Sequence, residues 1–252
     1  MASVRTNHRT LNIAHRGASS IAPQNTLAAF EKALEIGADG IELDVRLCAD
    51  GVPVVIHDAT VDGTTDGSGR VDTLKLAQLK ELDAGSSFDP AFAGERVPTL
   101  AQVLEAVGRK ALLNIELKGL SPFDRGLEHT VLDLIERHGL AENVLLSSFN
   151  PLALRRVQQL APRIPTGLLY AMPAWPALWL AGLVMPRANA ALHPHYALVD
   201  EEHLKRARAR NARVYVWTVD DPAVMRRLIT WRVDGIITNT PRVLRELLES
   251  MP

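Results

Sequence analysis

The sequence predicts an α/β fold: a single (β/α)8 barrel of the TIM type, with a β-hairpin extension and a small insertion after the second strand. Three observations predict it. Short strand-like runs alternate with amphipathic helical runs along nearly the whole chain, as in repeated β-α units around a parallel sheet. These units number eight. The chain has 252 residues, close to the roughly 250 of a typical barrel, and no linker rich in Gly, Ser or Pro divides it, so residues 1–252 are expected to form one domain.

The strands, in order, are LNIAHR from Leu11, GIELDVRL from Gly40, ALLNIELK from Ala111, NVLLSSF from Asn143, TGLLY from Thr166, NAALHP from Asn189, RVYVWTV from Arg213 and DGIITN from Asp234. Helical stretches follow from Asn25, Thr99, Phe123, Asn150, Asp200, Asp221 and Thr240, and an apolar segment follows the fifth strand. VPVVIHD would be a ninth strand, but Asp50-Gly51 before it is a strong hairpin signal, so it is expected to fold back antiparallel on the second strand. A two-residue Asp50-Gly51 loop sets Asp44 opposite His57. An Ala49-Asp50-Gly51 loop with a bulge shifts the pairing by one and leaves the two residues neighbours. Residues 59–98, rich in Gly, Asp and Ser around one short helical run, TLKLAQLKEL, read as an insertion at the barrel mouth: a binding loop, or an elaboration with no role of its own.

A net charge of -1, with 47% hydrophobic and 23% charged residues, is that of an ordinary globular protein. Near-neutrality argues against a nucleic-acid partner, and the basic run within residues 203–213 reads as the solvated face of a helix. Cys48 is the only cysteine, so no internal disulfide is available, and MASVRTNHRT lacks the apolar centre of a signal peptide, which together predict a cytoplasmic protein. Residues 164–186 carry no charge and are long enough to raise the question of a membrane span. Pro162, Pro165, Pro173 and Pro176 break any such helix, so a strand, an apolar loop and a short helix are expected. That excludes stable membrane insertion and leaves peripheral contact with a membrane open. The sequence carries no signature of an oligomeric state.

Candidate chemistry follows from the period of the strands. In the second strand Ile41, Leu43, Val45 and Leu47 share one face while Glu42, Asp44 and Arg46 share the other; in LLNIELK, Asn114, Glu116 and Lys118 share a face in the same way. In a barrel the apolar row meets the helices and the polar row enters the lumen. Glu42, Asp44 and Glu116 thus converge, and three carboxylates do not all stay ionised without a cation. One divalent ion, Mg²⁺ or Ca²⁺, suits such hard oxygen ligands. An ion-pair network with Lys118, Arg46 and Arg16 also satisfies them, so spacing alone leaves both readings open. His15-Arg16-Gly17 ends the first strand, where a barrel puts its active site. Histidine moves a proton near neutrality, arginine grips a phosphate, and glycine lets a ligand approach. His15 and His57, at two neighbouring strand ends beside three acids, read as a catalytic pair. Phe149 and Trp217 read either as lumen filler or as walls of a substrate pocket. His193 and His195 flank Pro194 and read as a strand end.

At IAHRGAS, PQNTLAAF, GADGIELDV, DGVPVVIHD, NIELK, VYVWTVD and DGIITNTP, in this order over nearly the full chain, the sequence resembles the glycerophosphodiester phosphodiesterases. The resemblance implies a barrel that uses Mg²⁺ or Ca²⁺, with Glu42, Asp44 and Glu116 as metal ligands, His15 and His57 as acid and base, and Arg16 and Lys118 on the phosphate. It implies metal-assisted hydrolysis of a glycerophosphodiester to glycerol 3-phosphate and an alcohol, with a glycerol hydroxyl as first nucleophile and a cyclic phosphate that water then opens. One position departs from the pattern: the family commonly has PENT where this chain has Gln24 in PQNT. Gln24 still accepts a hydrogen bond but gives no charge to a neighbouring histidine. Two other functions compete. One is the same chemistry on lysophospholipids, the apolar residues 171–185 gripping an acyl chain. The other is a barrel that binds phosphodiesters without cleaving them, for which loss of an acid or a histidine would be the usual sign; none is lost.

Overall fold

The computed structural model describes residues 9–119, 126–172 and 190–251. Eight parallel strands, β1 (Leu11–His15), β2 (Gly40–Leu47), β4 (Leu112–Leu117), β5 (Val144–Ser148), β6 (Thr166–Tyr170), β7 (Ala190–Pro194), β8 (Arg213–Val216) and β9 (Gly235–Thr238), each pair with their sequence neighbours in the ring. The ring closes because β1 pairs with both β9 and β2. All eight lie where the alternation of apolar residues places them.

The outer faces of the strands carry Ile41, Leu43, Val45, Leu113 and Ile115, all at 0% exposure. They pack on Phe30 and Ala33 of α1 (Leu27–Ile36), on Leu100 and Leu104 of α3 (Leu100–Val107), on Val131 and Ile135 of α4 (Leu127–Arg137) and on Val157 of α5 (Pro151–Leu160). Each such branched side chain contributes roughly 1.5–3 kcal/mol of burial free energy. A second cluster joins Val214, Val216 and Ile236 to α6 (Glu201–Ala209), α7 (Pro222–Thr230) and α8 (Pro241–Ser250). Inside the ring, Ile13, Leu145, Ala191, Tyr215 and Ile237 form an apolar plug. Polar side chains occupy the lumen next to it, so the barrel has a dry floor and a charged mouth.

β3 (Pro53–Val55) runs antiparallel on β2, as the hairpin signal predicts. Of the two loops that the sequence allows, the register takes the three-residue one. Leu47 pairs with Pro53 and Val45 with Val55, and Ile56 N donates to Asp44 O at 2.9 Å, so Ile56 rather than His57 stands opposite Asp44. The cause is a three-residue loop, Ala49-Asp50-Gly51, in which Gly51 N donates to Cys48 O and Gly51 adopts φ 73°; one residue in the left-handed region absorbs the bulge.

The insertion carries α2 (Leu76–Glu81) between turns at Val71–Thr73 and Pro90–Phe92. Val61, Val71, Leu79, Ala84 and Val97 bury against Cys48, Val54 and Ile56 of the hairpin, so the insertion is anchored by a small core of its own. The basic stretch lies on α6, with Lys205, Arg206, Arg208 and Arg210 exposed. Among the described residues no helix is long and apolar enough to cross a membrane. The helix expected after β6, and with it most of the apolar stretch within residues 171–185, lies outside the described residues.

Candidate active site

Strand register brings the site together. β1 and β2 pair with His15 beside Glu42, β2 and β4 pair with Asp44 beside Glu116, and β4 and β5 pair with Glu116 beside Ser147. Residues paired across parallel strands face the same way, so all five side chains enter one lumen. A cavity of about 160 Å³ lies there, lined by His15, Arg16, Glu42, His57, Glu116 and Lys118 on one side. Phe149 and Trp217 line it on the other, their rings edge to face at 5.4 Å. A wider groove lies at the opposite end of the barrel, along α6 and Trp231, on the face where barrels place stabilising rather than reacting groups.

The three acids are buried, with Asp44 1% and Glu42 4% exposed, and their oxygens lie within 4.8 Å of one another. Lys118 Nζ sits 2.7 Å from Glu116 Oε1 and 3.3 Å from Asp44 Oδ1. Arg16 Nε lies 3.3 Å from Asp44 Oδ2, its main-chain N donates to Glu42 Oε2 at 3.1 Å, and its guanidinium donates to Gln24 Oε1. Gln24 therefore keeps the accepting role that the sequence allows it. Asn25 Nδ2 donates to Asp44 Oδ2 at 2.8 Å.

This arrangement divides the acids. Burial raises the Glu42 carboxyl well above the usual carboxylate range, and Asp44 and Glu116 add to that. Burial and Asp44 likewise push Glu116 up to about 7, against the pull of Lys118. Burial also acts to raise Asp44, but Lys118 and Arg16 outweigh it and hold that carboxyl below its ordinary value. Two cations thus face three acids, and either a proton or a divalent ion makes up the difference. Hard oxygen donors at this spacing fit a divalent ion.

Each histidine is held from behind. His15 Nδ1 lies 2.7 Å from Asn239 Oδ1, and His57 Nδ1 lies 2.7 Å from Asp58 Oδ1. Both partners are acceptors, which assigns the proton to Nδ1 in each ring and leaves Nε2 free. Burial, helped by Arg16, lowers His15 to about 4. Burial lowers His57 too, while Asp44 and Asp58 work to raise it. Arg46, which the sequence offers as an ion-pair partner of the acids, instead donates through Nε and Nη2 to His57 O at 2.9 and 2.7 Å, fixing the main chain beneath that ring.

Residues 15–243 match the model of the glycerophosphoryl diester phosphodiesterase family. A glycerophosphodiester phosphodiesterase of Caldanaerobacter subterraneus subsp. tengcongensis is 44% identical over 247 residues, 95% of this chain and 98% of that protein. The chain belongs to the glycerophosphoryl diester phosphodiesterase family. A glycerophosphodiester phosphodiesterase of Bacillus subtilis is 34% identical over 254 residues, covering 95% of this chain and 86% of its own. The structure of an Oleispira antarctica phosphodiesterase in complex with the product sn-glycerol-3-phosphate superposes with a TM-score of 0.85 at 32% identity, covering 96% of this chain and 98% of that one. Like these members of the phosphodiesterase family, the chain is an enzyme, a phosphoric diester hydrolase.

Several residues at the phosphodiesterase site escape the sequence reading. Asn25 and Asn239 bond Asp44 and His15; both stand in the motifs PQNTLAAF and DGIITNTP, which were the available signal. Asn114 Nδ2 and Oδ1 and Ser147 Oγ are buried with no hydrogen-bond partner among the described residues, and both residues line the cavity. Their strand parity puts them inward, though nothing in the sequence marks them as unsatisfied. His193 ends inside the lumen against Tyr215 at 5.1 Å, and His195 lies tilted against Tyr196 and edge-on to Trp217; neither joins the acids.

Proposed function

We propose that this enzyme hydrolyses glycerophosphodiesters to glycerol 3-phosphate and an alcohol, with His15 and His57 as general base and general acid. The observation that carries the proposal is the pair of Nε2 atoms at one cavity that is also lined by Arg16, Lys118, Glu42 and Glu116, with Asp44 buried beside them. Glu42, Asp44 and Glu116 would hold Mg²⁺ or Ca²⁺. The ion, when bound, supplies Lewis-acid polarisation of a phosphoryl oxygen and makes a glycerol hydroxyl more acidic.

Arg16 and Lys118 offset the remaining charge of the phosphate, a contribution that grows as charge develops on the equatorial oxygens. One histidine takes the proton of the attacking glycerol hydroxyl as the new P–O bond forms. The other gives its proton to the departing alkoxide, and a cyclic phosphate is left. Water then opens the ring with the two roles exchanged, which returns both rings to their starting state. Burial keeps His15 neutral, so its Nε2 is available to take a proton; His57, whose Nδ1 faces the Asp58 carboxylate, is the ring whose protonated form is supported from behind, and in that form Nε2 carries the proton it gives. Asn114 and Ser147 offer unpartnered donors and acceptors to the glycerol hydroxyls.

Phe149 and Met172, just beyond β5 and β6, and Leu152, in the first turn of α5, are exposed large apolar residues and favour a second reading, in which the alcohol side carries an acyl chain. A panel of glycerophosphocholine, glycerophosphoethanolamine and their lysolipid forms, assayed with Mg²⁺ or Ca²⁺, tests both. Turnover of the glycerophosphodiesters supports the first; turnover confined to the lysolipids supports the second. No turnover of any member with either ion would sink the proposal.

A further inference from the structure

The barrel wall alone does not aim the His15 ring. The Asn239 amide that meets its Nδ1 is itself held by Asp220: Asn239 Nδ2 donates to Asp220 Oδ2 at 2.6 Å and Asn239 N donates to Asp220 Oδ1 at 2.8 Å. Thr238 Oγ1 donates to the same Asp220 Oδ1 at 2.9 Å, and Ser19 Oγ donates to Asn239 Oδ1 at 2.8 Å. Asp220 follows β8, Asn239 follows β9 and His15 ends β1, so the chain ties three adjacent strands together at their C-terminal ends. Asp220 is exposed and lines no part of the cavity.

The polarity of this chain of bonds is forced. A carboxylate only accepts. Facing it, Asn239 can present only its NH2 group; turned over, its oxygen would meet Asp220 Oδ2 acceptor to acceptor. The amide oxygen therefore points at His15, and because that oxygen only accepts, the ring proton sits on Nδ1. Nε2, 3.8 Å from Glu42 Oε2, keeps the lone pair that faces the cavity.

We propose that Asp220 is a positioning residue that, through Asn239, sets the tautomer and orientation of His15 and so makes Nε2 the atom that handles the proton of the reaction. The catalytic half of this inference rests on the role of His15 argued above; the tautomeric half does not.

The test is polarity reversal. In Asp220→Asn the new side chain can still accept from Thr238 and the Asn239 main chain, but its NH2 opposes that of Asn239. The Asn239 amide then turns, and His15 meets a donor. The ring takes the other tautomer, with its proton on Nε2. The expected result is a fall in kcat of about 10²- to 10⁴-fold with KM changed by less than about threefold. The ¹⁵N shifts of His15, assigned by difference from His15→Ala, should move the proton from Nδ1 to Nε2. Adding Asn239→Asp to Asp220→Asn restores the order, since an amide NH2 now donates to a carboxylate that accepts from His15, and most of the lost kcat should return.

An unchanged His15 tautomer in Asp220→Asn would overturn the relay. A switched tautomer with undiminished kcat would overturn the part His15 plays in proton transfer, and the proposal with it. A double variant that melts like the parent yet is no more active than Asp220→Asn would also overturn it.

Discussion

His15 leans on Asn239 and His57 on Asp58, and both rings are partly exposed at the cavity, so neither is chiefly a packing group. His15→Ala and His57→Ala should each lower kcat by about 10²- to 10⁴-fold, the usual loss of a positioned acid or base, while the melting temperature moves little. A departing alkoxide needs a proton more than a p-nitrophenolate does. A substrate with a p-nitrophenol leaving group should therefore rescue the variant that has lost the general acid, His57 in the mechanism we propose. Near-normal kcat on a good natural substrate in either variant would end the two-histidine mechanism. The acids behave in the opposite way. Glu42 is pushed up by burial and by its two acidic neighbours, so in chelated protein Glu42→Gln should melt no lower than the parent, and higher as pH rises, while metal affinity falls by at least about tenfold. A lower melting temperature in chelator would show that the carboxyl is needed for folding. The acids and histidines were legible in the sequence because strand parity and strand ends reveal them. Asp220 and Asn239 were not, since their effect on His15 depends on contacts between chain segments more than two hundred residues apart, with separations of 205 and 224 residues from His15.

Elements were legible to the extent that local pattern decides them. Period-two alternation in GIELDVRL and LLNIELK predicts which side of β2 and β4 is wet, and both strands obey it. The β2–β3 register stays open in the sequence because a loop of two residues and a loop of three with a bulge share the Asp50-Gly51 signal; the structure takes the three-residue loop, in which Gly51 alone is left-handed, whereas a two-residue type I′ turn would put Asp50 there as well. Two glycines separate backbone strain from crowding. Gly51 has φ 73° and open space where a Cβ would stand, with nothing within 4 Å, whereas Gly17 has φ 84° and a Cβ there would lie 2.6 Å from the Ala29 main-chain carbon. Gly51→Ala should destabilise by about 1–2 kcal/mol, the left-handed penalty alone. Gly17→Ala should cost about 3 kcal/mol or more, because α1 must also move away from the end of β1, and it should lower kcat by displacing Arg16. Urea melts of both variants check the ranking; equal losses would mean that the contact between Gly17 and α1 does not constrain the site.

At the scale of the whole molecule the barrel collects charge that no single strand carries. The ring makes neighbours of acids on β2 and β4, two of which take up protons on folding because burial raises them. A group raised on folding stabilises the folded protein fully at pH below its ordinary value, near 4.5 for these carboxyls, and that contribution is lost as pH rises through the folded value, about 7 for Glu116. The metal-free enzyme should therefore lose stability from this cluster between about pH 5 and pH 8. A divalent ion competes with the same protons, so its affinity should rise across that range, by up to about tenfold per pH unit for each proton displaced. Because a ligand stabilises in proportion to the logarithm of its concentration over Kd, the rise in melting temperature produced by a fixed concentration of Mg²⁺ or Ca²⁺ should be larger at about pH 8 than at about pH 6. Chelation should abolish turnover, and added metal should restore it. Full activity after exhaustive chelation would remove the ion from the mechanism, and a metal-induced shift that shrank with rising pH would show that Glu42 and Glu116 are not the groups that bind it.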